Sequence, residues 1–260
     1  MSPVLASALF GLAAAAVTVI ALVMVRFAAG FTRTHAPVFA AFAAGLVIAV
    51  SILRLLPEAL DAIPAAPWLV LAGFGLGAMM QRLLSLRGPA GLQAASSLAP
   101  VLAIALHSLI DGVVYAVTFA VGAAIGLAAV PGLVIHEFPE AVICFVLLQR
   151  AGLSDRASAG YASLAAGGTT LLTAVAAAPV AASLSPEVLG GLFAVAAGLL
   201  LHVGAVHLLR HTETTRWTLS TPAVLGGAAL AAAMTLMHTP PARDLDTIEV
   251  GGHFHQHAAN

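Results

Sequence analysis

Two short strings place a histidine and a carboxylate four residues apart: His107-Ser108-Leu109-Ile110-Asp111-Gly112 and His136-Glu137-Phe138-Pro139-Glu140. On a helix, positions i and i+4 share a face, so each string presents an imidazole beside an acid. Imidazole with carboxylate is a borderline ligand set suited to Zn²⁺, Fe²⁺, Mn²⁺ or Co²⁺, whereas an all-oxygen set favours Mg²⁺ or Ca²⁺. Both strings sit in strongly apolar segments. At mid-bilayer depth an ionisable group is costly unless it is paired, hydrated or bound to a metal. The same residues could instead tie helices together by hydrogen bonds. That reading requires His107, Asp111, His136, Glu137 and Glu140 to neutralise one another without an arginine, so a metal site on a path through a membrane is the stronger expectation.

The elements that must position these residues are membrane helices. The chain is 61% hydrophobic and 8% charged, against roughly 25% charged in a soluble domain. Mean hydropathy is +1.04. An all-α polytopic membrane protein with eight transmembrane helices is expected, the spans lying near 3–25, 36–56, 67–86, 98–119, 123–148, 158–183, 186–209 and 219–238. Each is close to the ~20 residues a helix needs to cross. The first lacks a basic leader and is too long for a signal peptide, so it should remain in the mature protein.

Arginine placement orients the chain, because cytoplasmic loops carry the excess of basic residues. Arg26 and Arg33, Arg82 and Arg87, Arg150 and Arg156, and Arg210 and Arg216 fall in alternate connections. This alternation predicts an even number of spans with both termini outside. Lysine is absent, and the single Cys144 rules out an intrachain disulfide and a thiolate cluster.

One bundle is expected over residues 1–240, followed by a flexible, histidine-bearing extracytoplasmic tail over 241–260. The longest loop is read near 87–97, with Gly88 and Pro89 as breakers. His107 and His136 then fall at similar depth in antiparallel spans. Ser108 and Glu137, each next to a histidine, could hold a second ion or a water. Pro139 removes a backbone hydrogen bond, kinks the fifth span and frees a carbonyl at the depth of the site. An internal likeness joins Ala43-Ala44-Gly45-Leu46 through Leu55-Leu56 to Ala196-Ala197-Gly198-Leu199 through Leu208-Leu209, with Arg54 against His207. With the second and seventh spans running oppositely, this would be an inverted-topology repeat, as in many transporters.

The two strings resemble those of the ZIP (Zrt/Irt-like) divalent metal transporters. The fourth-helix pattern of that family, H-[NS]-x-x-[DE]-G, is matched by His107, Ser108, Asp111 and Gly112. The fifth-helix pattern, H-[EN]-[IF]-P-[EH], is matched by His136, Glu137, Phe138, Pro139 and Glu140. Ala43-Ala44-Gly45 and Leu55-Leu56-Pro57-Glu58-Ala59 are similar to its second helix. The resemblance implies a 3+2+3 arrangement of eight helices and a primary metal site from His107, Asp111, His136 and Glu140. It also implies Ser108 and Glu137 beside that site, sharing a bridging Asp111, and an elevator-like movement of helices 1, 4, 5 and 6 against the others. A homodimer would fit as well. Two departures stand out: Ile110 replaces a common proline, and Gly167, Gly168, Thr169 and Thr170 offer no carboxylate in the sixth span, which counts against a tightly bound second ion.

Weaker features complete the reading. His202 and His207, five residues apart, would sit roughly 140° apart on an α-helix and so form no compact chelate. His207 could pass metal towards the cytoplasm or simply pack. Arg54 is expected to snorkel to the outer interface rather than to repel cations. Glu58 and Asp61 either attract cations or cap a solvated helix end. His253, His255 and His257, preceded by Asp244, Asp246 and Glu249, could collect metal outside the membrane.

The leading function is import of a divalent transition metal, zinc foremost, with Cd²⁺, Fe²⁺, Mn²⁺ and Co²⁺ as other substrates, across a bacterial-type inner membrane. Besides the metal, the lipid bilayer is the expected partner; nucleic acid is not. An intramembrane metal-dependent hydrolase is the alternative from another class, since His136-Glu137-Phe138-Pro139-Glu140 echoes H-E-x-x-H, although that motif needs histidine where Glu140 stands. A non-transporting membrane metal sensor would share the site but lack a continuous polar route.

Overall fold

The computed structural model describes residues 1–27, 35–86, 89–209 and 217–238, for a few of them the backbone alone. Arg33, Arg87, Arg210, Arg216 and the histidine-bearing tail lie outside the described residues. Every regular element among those described is helical. In chain order these are α1 (Pro3–Phe27), α2 (Ala36–Val50), α3 (Leu56–Ala62), α4 (Ala66–Ser85), α5 (Pro89–Val121), α6 (Ala123–Ile135), α7 (Glu137–Arg150), α8 (Asp155–Ser163), α9 (Thr169–Ala177), α10 (Pro186–His202) and α11 (Trp217–His238).

Among the described residues, six stretches are long and apolar enough to cross a membrane: Pro3–Phe27, Pro37–Ala62, Ala66–Ser85, Ser97–Val121, Pro186–Leu208 and Thr218–Leu236. Their outward faces carry Leu71, Leu225 and Trp68, all exposed. A continuous apolar exterior of this kind suits lipid rather than water. The protein is therefore a multi-pass membrane protein. The expected fifth and sixth spans are interrupted, for reasons legible in their chemistry. Pro139 has no N–H to return to Ile135, and the chain turns at His136 between α6 and α7.

In the sixth, Ser154 caps the start at Asp155, its hydroxyl accepting from the Ala157 N–H at 3.3 Å. Helix α9 then ends before Pro179, short of the expected 183. Within the loop expected near 87–97, residues 89–97 are helical instead: Pro89 begins α5, a position where proline's fixed φ suits a helix. The second span also runs on to Ala62 rather than stopping at Leu56.

Among the described residues, three π-helical segments interrupt the bundle, at Ser51–Leu55, Leu164–Gly168 and Val203–Leu208. At the first two a hydroxyl bonds back to a carbonyl of its own helix, Ser51 to Val47 at 2.7 Å and Thr169 to Ala165 at 2.8 Å. Such bonds compete with the backbone ladder and bend helices. The first joins α2 to α3, and the third follows α10. They fall at matching places in the two stretches that share the Ala-Ala-Gly-Leu sequence.

Packing sorts the helices into two sets. Helix α1 packs on α5, α7, α8 and α9; α2 packs on α11, and α4 on α10. Helix α5 joins the sets through α4 and α10. Glycines allow the tightest of these approaches. A Cβ at Gly45 would lie 2.0 Å from the Val224 carbonyl oxygen, and one at Gly198 would lie 2.0 Å from that of Val70. Backbones meet there, as small residues permit in lipid.

Candidate metal centre

His107 and Asp111 lie on one face of α5, as their spacing requires, while His136 stands at the turn before α7 and Glu140 in its first turn. All four are buried. The His107 Nε2 atom lies 3.1 Å from Asp111 Oδ2 and 3.3 Å from Glu140 Oε1, and His136 Nε2 lies 3.2 Å from the same Asp111 oxygen. One ligand atom from each residue falls within 4.8 Å of every other. Around a tetrahedral ion with bonds of roughly 2.0–2.2 Å, ligand atoms stand roughly 3.3–3.6 Å apart. The cluster is therefore close to the size such an ion demands. Without an ion, each imidazole N–H can donate to a carboxylate; binding must replace those protons with metal at the same nitrogens.

A model of the ZIP zinc transporter family matches residues 87–235, more than half of the chain and the stretch that carries both strings. The chain belongs to the ZIP zinc transporter family. No curated protein matches it. Membership in the ZIP family makes this protein a divalent-metal transporter, and its buried histidine and carboxylate cluster has the chemistry of a metal site.

In this ZIP protein Ser108 and Glu137 lie beside the cluster rather than in it. The Ser108 hydroxyl reaches the Ile104 carbonyl at 3.0 Å and Glu140 Oε2 at 3.3 Å, so it can steady that carboxylate. Glu137 is fully buried. Thr170 donates to its Oε1 at 2.7 Å and Thr18 to its Oε2 at 3.2 Å. Thus Thr170, on the helix where no carboxylate was found, provides a hydroxyl instead. Thr18 was missed in the sequence, although a lone polar residue within the apolar run of α1 was the available signal.

Arg54 stands beside the site. Its side chain is 15% exposed, and its Nε lies 3.5 Å from Glu58 Oε1. It lines a cavity of about 20 Å³ together with His107, Asp111 and His136. The helix continues to Ala62, so Arg54 is two turns short of its end. Asp61 is exposed at that end.

The expectation for His202 and His207 is corrected. Their ring centroids are 5.2 Å apart in an edge-on arrangement, and both residues are buried. The segment between them is π-helical, and a π turn closes i to i+5, bringing residues five apart onto one face. Gly77 leaves the space that the His202 ring fills, since a Cβ there would lie 2.7 Å from it. Neither histidine belongs to the four-residue cluster.

Proposed function

We propose that this chain imports a divalent transition metal, zinc foremost, across a bacterial-type inner membrane through a site formed by His107, Asp111, His136 and Glu140. The observation that carries the reading is the convergence of these four buried residues to within 4.8 Å. Two nitrogens and two carboxylate oxygens suit Zn²⁺, with Cd²⁺, Fe²⁺, Mn²⁺ and Co²⁺ as competitors. Ser108 holds Glu140 in position, and Glu137 braces the site against α1 and α9.

Eight membrane crossings in a 3+2+3 order, with both termini outside, fit this role. The interrupted segments 123–150 and 155–177 supply the fifth and sixth crossings. The matched π segments and glycine contacts of α2 and α10 support an inverted repeat. An elevator-like movement is supported by the packing: α1 and α5 through α9 contact one another and carry the four ligands, while α2, α3, α4, α10 and α11 make the other set. His207, and His202 against it, would lie along the inward route.

Uptake by purified protein in liposomes, with competition among Zn²⁺, Cd²⁺, Fe²⁺, Mn²⁺ and Co²⁺, tests the proposal. Saturable, site-dependent zinc accumulation is the expected result. Tight binding without accumulation would instead identify a sensor.

A further inference from the structure

Arg54 puts a permanent positive charge in the cavity that leads to a cation site. Among the described residues lining that cavity it is the only one whose charge does not depend on pH, and the remainder of that described wall beyond His107, Asp111 and His136 is apolar except for Thr235. The cavity of about 20 Å³ has room for roughly one water. The Arg54 guanidinium is anchored at its outer side by Glu58, whose side chain is 43% exposed, across 3.5 Å. An ion pair that open to solvent contributes little. The anchor can therefore be exchanged at small cost for another carboxylate.

The other carboxylate across the cavity is Asp111, with a side chain only 7% exposed. When no ion is bound and the imidazoles are neutral, Asp111 and Glu140 leave two negative charges in a poorly solvated site. Uncompensated charges there are strongly disfavoured. A divalent ion cancels the charge of these two carboxylates, while the nearby guanidinium repels it.

We propose that Arg54 is a tethered competitor of the transported ion: held beside Glu58 in the cavity wall, it offsets part of the charge of the empty site, repels an entering divalent cation, and so sets the affinity of the site. The role rests on the metal site proposed above. It makes Arg54 an affinity-determining residue that need not touch the metal.

The test is Zn²⁺ binding to the full-length protein in nanodiscs, measured by competition with a fluorescent chelator. Arg54→Met removes the charge while keeping an unbranched apolar stem, and should tighten Zn²⁺ binding by about tenfold or more. Arg54→Lys keeps the charge and should bind close to wild type. Glu58→Gln removes the outer anchor, freeing the guanidinium for Asp111, and should weaken binding. Arg54→Met binding no more tightly than wild type overturns the proposal, as does Arg54→Lys binding as tightly as Arg54→Met. If Arg54→Met does not fold, Glu58→Gln decides, since unchanged or tighter binding there also overturns it. His107→Ala is measured in parallel. A wild type without Zn²⁺ binding, or His107→Ala binding like wild type, sinks the site itself and this role with it, whereas a normal site with an unresponsive Arg54→Met sinks the role alone.

Discussion

The Thr170 hydroxyl donates to Glu137 Oε1 across 2.7 Å, joining α9 to α7 immediately beside the metal cluster. Thr18 does the same for the other carboxylate oxygen from α1. A buried carboxylate thus has a hydroxyl on each oxygen, from two different helices of the set that carries the site. Thr170→Val keeps the volume and removes one donor, which should cost about 1–3 kcal/mol of stability. Thermal unfolding of the metal-free protein in detergent measures this. A Thr170→Val protein as stable as wild type would show that the bond contributes nothing.

His107→Ala and His136→Ala should each abolish most uptake while leaving a folded, membrane-inserted protein. Each change deletes a ligand nitrogen but little apolar surface. Near-normal liposome transport by either variant at matched reconstitution would remove the site from consideration.

Among the acids, Asp111→Asn and Glu140→Gln should be damaging, and Ser108→Ala and Glu137→Gln milder. An amide preserves shape but loses the negative charge that offsets the ion's desolvation. Asp111 is the more exposed to this loss because one of its oxygens faces both histidines, at 3.1 and 3.2 Å. Zinc affinity for the four variants gives the ranking, and a Glu137→Gln defect exceeding that of Asp111→Asn would reverse it.

Protons and metal compete for the Nε2 lone pairs of His107 and His136, so the sign of the pH dependence follows directly. Acidification adds protons to the unloaded site, and apparent zinc affinity should fall as pH is lowered. Zinc titrations across a pH series check this. Affinity that rises on acidification would mean the histidines are not ligands through those nitrogens.

How much was legible in the sequence depended on whether a feature is local. The two pairs could be read because i and i+4 meet on any α-helix, and Pro139 announced the interruption next to His136. His202 and His207 were misjudged because their meeting needs a π turn, and nothing in Val203-Gly204-Ala205-Val206 announces one. Arg54 was placed near the end of its helix because the second span was read as stopping at residue 56. The chain instead carries a π segment at Ser51–Leu55 and takes Pro57 into the first turn of α3. Glu137's bonds to Thr18 and Thr170 join residues 119 and 33 positions apart, which no local pattern reveals.

The glycine contacts give a prediction about the fold that is independent of the metal. At Gly45 and Gly198 the atom facing an added Cβ is a backbone carbonyl oxygen at 2.0 Å, which no rotamer change can move aside. Gly45→Ala and Gly198→Ala must therefore push α2 from α11, or α10 from α4, at a cost of about 1–3 kcal/mol for overpacking. Gly75, in α4, provides the control, because an added Cβ there meets nothing within 4 Å. Alanine at that position should be neutral or stabilising by about 0.5–1 kcal/mol, since it reduces the freedom of the unfolded chain. Thermal unfolding of the three variants in one detergent separates the cases. If Gly45→Ala and Gly198→Ala are each as stable as Gly75→Ala, the backbones do not meet at these glycines, and the matched pair of close contacts loses its support.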